Sequence, residues 1–190
     1  MVAREAHCTW WSTVRGFSGF GVITELDAEQ FRSVIDVCLT GAFLVIKHAG
    51  RHLREGGALV SLTSLNARQP AIGMSAYCSA KAGLSMLTQV AALELGAARY
   101  PRQRRRARVR AHPPADRRRR NGPPGVVDEY VENTALGRPG TPQDIADAVA
   151  FLCSPQSSWL TGEILDLNGG AHLKRYPPNI AEHLNRLMDP

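Results

Sequence analysis

The 190-residue sequence is poor in the features that announce most specialised proteins. It has four cysteines (Cys8, Cys38, Cys78, Cys153), scattered with no CxxC pair and no Cys/His ligand spacing. That argues against a disulfide framework or a zinc site, predicts no metal, and suits a reducing compartment. Its uninterrupted apolar runs, such as GAFLVI, are too short to span a bilayer. The start, MVAREAH, is charged and lacks a signal-peptide pattern. No internal repeat is visible. These absences predict one soluble, cytoplasmic domain without a membrane partner, and 44% apolar residues suit a globular core.

Charge is the obvious excess, but it is local. The formal net charge is +6. Residues 99–120 alone hold eleven arginines and one aspartate, so the rest of the chain is mildly acidic. The stretch PRQRRRARVRAHPPADRRRR invites comparison with an arginine-rich nucleic-acid arm. Two things count against that. Residues 101–120 carry no aromatic side chain on which bases could stack, and no lysine. The segment also lies inside the chain, between two well-formed helices, whereas basic arms sit at chain ends.

On either side the sequence alternates in a regular way. Asp27 is placed to cap a helix that runs to about Arg54, with Gln30 three positions on. Phe31, Val34, Ile35, Cys38, Leu39, Phe43, Ile46 and Ala49 form its broad apolar face. ALVSL (58–62) reads as a short buried strand. A second helix is predicted from Ala76 to about Leu95, with Gly96 at its end. Thr141 and Pro142 open a third, and GEILDLNGG supplies a last strand and turn. Alternating strands and helices predict an α/β fold with a parallel sheet.

The chemistry concentrates in SAYCSAKAG. Tyr77 and Lys81 are four residues apart and so share one helix face. A free phenol is a poor acid–base group at neutral pH, and a neighbouring ammonium favours its phenolate. The pair could then exchange a proton with an alcohol or carbonyl oxygen. Ser64, thirteen residues upstream at the end of the predicted strand, could hold the same oxygen. A tyrosine at a core edge beside a snorkelling lysine would give the same spacing. The order strand, Ser, small-residue loop, YxxxKAG, helix favours the chemical reading.

At this point the chain resembles the short-chain dehydrogenase/reductase family. The resemblance rests on ALVSLTSLNARQPAIGMSAYCSAKAGLSMLTQVAALELG, on DAEQFRSVIDVCLTGAFLVIKHA before it, and on GRPGTPQDIADAVAFLCSPQSSWLTGEILDLNGG after it. It implies part of a Rossmann-like, doubly wound parallel sheet: a single, incomplete domain over 1–190. It also implies NAD or NADP as cofactor, a small alcohol or ketone as substrate, and a homo-oligomer. Tyr77 would be the general acid/base. Lys81 would lower its pKa and, with Tyr77, bind the nicotinamide ribose; Ser64 would orient the substrate carbonyl. Cys38 stands where the family usually has an Asn that supports a water in the proton relay. The Gly-rich strand–turn–helix of such folds is missing: GFSGFG (Gly16, Gly19, Gly21) has the wrong spacing and no helix opening directly on it.

The basic stretch sits where the family writes a strand like GIRVNAVAPG. Read one base over, with permitted codons, RYPRQRRRAR (99–108) yields G-I-R-V-N-A-V-A. The opposite shift turns CTWWSTVR (8–15) into a text containing H-V-V-V-N-S-A. The expectation is therefore an N-terminally truncated relative whose 1–15 and 97–124 are frameshifted, non-native or disordered; the gene's nucleotide sequence decides it. Two other functions stay open at this point. One is a basic nucleic-acid-binding protein on a degenerate scaffold, and the other a non-catalytic oligomerisation partner.

Overall fold

A computed structural model describes residues 8–11, 20–53, 56–97, 106–110 and 126–174. Among the described residues four strands form one parallel sheet in chain order: β1 (Cys8–Trp11), β2 (Ala58–Leu62), β3 (Arg106–Arg110) and β4 (Ile164–Leu165). Trp10 is opposite Val60, Val60 opposite Arg108, and Val109 opposite Ile164. Parallel neighbours need long crossovers, and helices supply them. α1 (Ala28–Ile35) and α2 (Gly41–His52) lie between β1 and β2. α3 (Ser75–Ala97) follows β2, and α4 (Val126–Glu132) and α5 (Pro142–Cys153) lie between β3 and β4. The strand order does not reverse among the described residues, so the sheet is one wing of the doubly wound arrangement expected from the sequence.

Local signals account for the element ends. The Asp27 carboxylate accepts from the backbone N–H of Glu29 and Gln30, which starts α1. α1 and α2 are one rod joined by a π-helical turn, Asp36–Thr40, so the helix expected to reach Arg54 runs to His52. α5 opens on a full capping box: Asp144 N–H donates to Thr141 Oγ1, and Thr141 N–H donates to the Asp144 carboxylate. Because the π turn keeps the rod continuous, Ala28–His52 is long and apolar enough to cross a membrane by length and composition, which the short apolar runs had not suggested. In this fold α1 packs on α3, and α2 packs on α3 and β2.

The core is small-residue and tight. Val34 and Cys38 of the rod meet Ala76 and Ala80 of α3, with Leu26, Ile35, Leu39 and Tyr77 around them. β2 is buried through Ala58, Leu59 and Val60, as its unbroken apolar start predicted.

Two findings touch the stretches that the sequence set apart. The backbones of Cys8–Trp11 and Arg106–Arg110 are strands on either side of β2. A strand therefore lies within the basic stretch, starting near the end of the 99–108 segment rather than at its beginning. The remainder of 1–15 and of 97–124, apart from Ala97, lies outside the described residues, as do Gly16 and Gly19. Cys38 and Cys78 are free, whereas Cys153 is disulfide-bonded, a pairing the scattered cysteines did not announce.

Candidate active site

The carboxyl end of β2 builds the site. In open parallel sheets this is where strand ends and loops leave room for ligands. β2 ends at Leu62, two residues earlier than Ser64. Ser64 instead caps a 3-10 turn, Leu65–Ala67. Its hydroxyl oxygen accepts from Asn66 N–H at 3.2 Å, and its hydroxyl donates to Asn66 Oδ1 at 3.3 Å. The residue is buried.

α3 carries the other two expected groups. One helical turn brings Lys81 Nζ to 5.6 Å from the centroid of the Tyr77 ring. Lys81 is 2% exposed, which is unusual for a lysine. Its ammonium donates to the Leu62 carbonyl at 3.1 Å, which ties α3 to the strand end that leads into Ser64. The lysine backbone is held as well: its carbonyl accepts from Thr63 Oγ1 at 3.0 Å and from Ser85 Oγ at 3.1 Å. Tyr77 is half-buried, with its ring against the Val34–Cys38–Ala76–Ala80 core.

Electrostatics follow from that burial. Desolvation pushes the Lys81 pKa below the ordinary lysine range, partly offset by Cys38. Desolvation pushes the Cys38 thiol above its ordinary range, partly offset by the Lys81 charge. The two groups thus feel one another. Cys38 is 2% exposed and lies within the π turn, whose extra residue gives the rod its only described irregularity. It is a small core residue, and it also lies beside Tyr77 and Lys81. No cluster of three or more metal-ligating side chains occurs among the described residues.

The structure therefore brings Tyr77 and Lys81 together and sets Ser64 two residues beyond the carbonyl that Lys81 holds. Sequence reasoning missed Thr63, Ser85 and Asn66. The available signal was polar residues at the end of an apolar strand and one helical turn beyond Lys81, where hydroxyls and amides have backbone groups to satisfy.

For a nicotinamide dinucleotide the described residues fit one end of the molecule. Tyr77 and Lys81 are the residues that would hold the nicotinamide ribose, as the family resemblance implies. The pyrophosphate needs a helix N-terminus with free N–H groups. The first helix of the described residues is already capped by the Asp27 carboxylate, with Glu29 in its first turn, and that end would repel a phosphate.

Comparison with known proteins agrees with this architecture. The family model described as enoyl-(acyl carrier protein) reductase matches residues 13–172. A human (3R)-3-hydroxyacyl-CoA dehydrogenase is 32% identical over 154 residues, covering 78% of this chain and 56% of its own. A short-chain type dehydrogenase/reductase from Mycobacterium ulcerans superposes with a TM-score of 0.79 at 28% identity, covering 93% of this chain and 64% of its own. A short-chain dehydrogenase from Burkholderia cenocepacia, solved in complex with NADP, gives 0.74 at 28% identity over 87% and 65%. The chain spans less than two thirds of the length of these relatives. With its parallel sheet and its Tyr77–Lys81 helix face, the chain belongs to the short-chain dehydrogenase/reductase family.

Proposed function

We propose that this site interconverts a secondary alcohol and a ketone with NAD or NADP. The observation that carries the reading is a buried lysine ammonium one turn from a half-buried tyrosine, at the carboxyl end of a parallel strand. In the reducing direction Tyr77 donates its phenolic proton to the carbonyl oxygen. Lys81, positively charged, stabilises the phenolate left behind. Ser64 turns its hydroxyl from Asn66 Oδ1 to the same oxygen and fixes the carbonyl. A bound reduced nicotinamide supplies the hydride, and in the oxidising direction the phenolate takes the proton back.

The substrate is a small molecule that presents a ketone or secondary hydroxyl. The wider reading includes a homo-oligomer and no nucleic-acid partner. Exposed apolar residues on α2 and α3, among them Phe43, Leu44, Val90 and Leu93, suit such an assembly. Because the described residues fit only the nicotinamide end, the affinity of this chain for NADH or NADPH is expected to be weak, and calorimetry with each measures it.

The test is reduction of a panel of cyclic and acyclic ketones at high NADH and NADPH, followed by nicotinamide absorbance. Tyr77→Phe keeps the ring in the core and removes the proton. It is expected to lower the rate by about a hundredfold or more. A Tyr77→Phe rate equal to that of the parent chain would defeat the assignment.

A further inference from the structure

We propose that Asn66 and Gln69 are positioning residues that tie the Ser64 hydroxyl to the segment 166–174; this rests on the reading of Ser64 given above. The hydrogen bonds run in an unbroken series. Ser64 Oγ accepts from Asn66 N–H at 3.2 Å and donates to Asn66 Oδ1 at 3.3 Å. The other end of that amide, Nδ2, donates to the Gln69 carbonyl at 3.3 Å. Gln69 Nε2 in turn donates to the Lys174 carbonyl at 2.7 Å, with the Ala171 and His172 carbonyls at 3.4 and 3.5 Å. Arg68, between them in sequence, is paired with Asp166 at 2.7 Å.

Each amide has one workable orientation. A flipped Gln69 would set its oxygen against three carbonyls. It keeps its present orientation even though Oε1 is buried without a hydrogen-bond partner, which is costly. A flipped Asn66 would set its oxygen against the Gln69 carbonyl, although its nitrogen could still donate to Ser64 Oγ. The series therefore determines where the serine oxygen sits. The long Ser64–Asn66 contacts leave its hydrogen free to swing to a substrate oxygen while the Asn66 N–H keeps the oxygen in place. The segment 166–174 is remote in sequence, and through Gln69 its position reaches the serine that would orient the substrate.

Residue-resolved amide hydrogen exchange on the full chain tests this, with Gln69→Met, which keeps bulk and removes the donor. Exchange at the Asn66 amide is expected to quicken about fivefold, the size of one lost hydrogen bond, while α5 is unchanged. Unchanged exchange at Asn66, with faster exchange only at 171–174, would overturn the proposal, since Gln69 would then merely fasten the segment. Equal quickening throughout α5 would overturn it too, as a general loss of stability. Asn66→Asp, which keeps the acceptor for Ser64 and removes the donor to Gln69, is expected to reproduce the quickening at its own amide. Where ketone reduction is measurable, Gln69→Met is expected to lower kcat about fivefold with KM nearly unchanged. Absence of turnover in parent and variant alike would count against the proposed reaction and leave the exchange result to decide on the positioning series.

Discussion

Lys81 Nζ donates to the Leu62 carbonyl at 3.1 Å while standing 5.6 Å from the centre of the Tyr77 ring. One side chain thus links the carboxyl end of β2 to the Tyr77 turn of α3. A 2% exposed ammonium is tolerable because that carbonyl and the ring face both present negative charge to it. Lys81→Met keeps the length of the side chain and removes the charge. Ketone reduction is expected to fall by about a hundredfold, because the phenolate loses its counter-charge. Stability is expected to change far less, since an apolar side chain suits the same buried path. Parallel rate and urea-unfolding measurements separate the two effects.

The Lys81–Cys38 pair makes alkaline stability a readout of the site. Lys81 has a lowered pKa in the folded chain, so the unfolded chain binds more protons in the window between the folded and ordinary lysine values. Its contribution to stability therefore rises with pH across that window. Cys38 has a raised pKa, so the folded chain holds a proton that the unfolded chain has lost. Its contribution falls as pH climbs from the ordinary thiol value through the folded one. Cys38→Ala is expected to flatten the alkaline fall, and Lys81→Met to remove the opposing rise. Thermal unfolding of the three proteins across the alkaline range shows whether the slopes diverge in those directions.

These interactions also show how far the sequence could be read. The Tyr77–Lys81 spacing, the apolar strand 58–62 and the Thr141–Pro142 start are local patterns, and local physics decides them. The Gln69 link to 171–174 and the Thr63 hydroxyl on the Lys81 carbonyl are not local. The first needs the loop after β2 and the turn after β4 to be brought together, and the second needs α3 to fold back on the end of β2. The π turn at Cys38 was hidden for another reason: apolar periodicity continues through it, so an ordinary helix fits the same residues. In 99–110 the arginine excess obscured a strand, because β3 is identified by its backbone pairing with β2 and β4 and not by side-chain alternation.

Thr63 is 1% exposed, donates to the Lys81 carbonyl and also meets Ser85 Oγ at 3.2 Å. Thr63→Val has nearly the same shape and no hydroxyl. Ser85 still satisfies the Lys81 carbonyl, so the loss is one buried hydrogen bond and a contact for Ser85. The expected cost is about 1 kcal/mol in urea unfolding, with an unchanged m-value. A loss well above this would mean that the hydroxyl also sets the course of the chain into Ser64, and Tyr77-dependent turnover would fall with it.

Two glycines, Gly56 just before β2 and Gly170 in the turn after β4, separate backbone strain from steric conflict. Gly56 and Gly170 both have positive φ, 73° and 80°, where a side chain is strained. At Gly56 an added Cβ meets nothing within 4 Å, but at Gly170 it would lie 2.7 Å from the Ala135 Cβ. Gly56→Ala is therefore expected to cost about 1 kcal/mol, from left-handed backbone alone. Gly170→Ala adds an overlap that must push 134–136 and 168–171 apart, and Gly170 N–H donates to the buried Asn168 at 3.1 Å. A further 1–3 kcal/mol or so is expected from that crowding. Urea unfolding of both variants gives the comparison. Equal losses would show that the turn relaxes freely, and with it the anchorage of the carbonyls at 171–174 on which Gln69 depends.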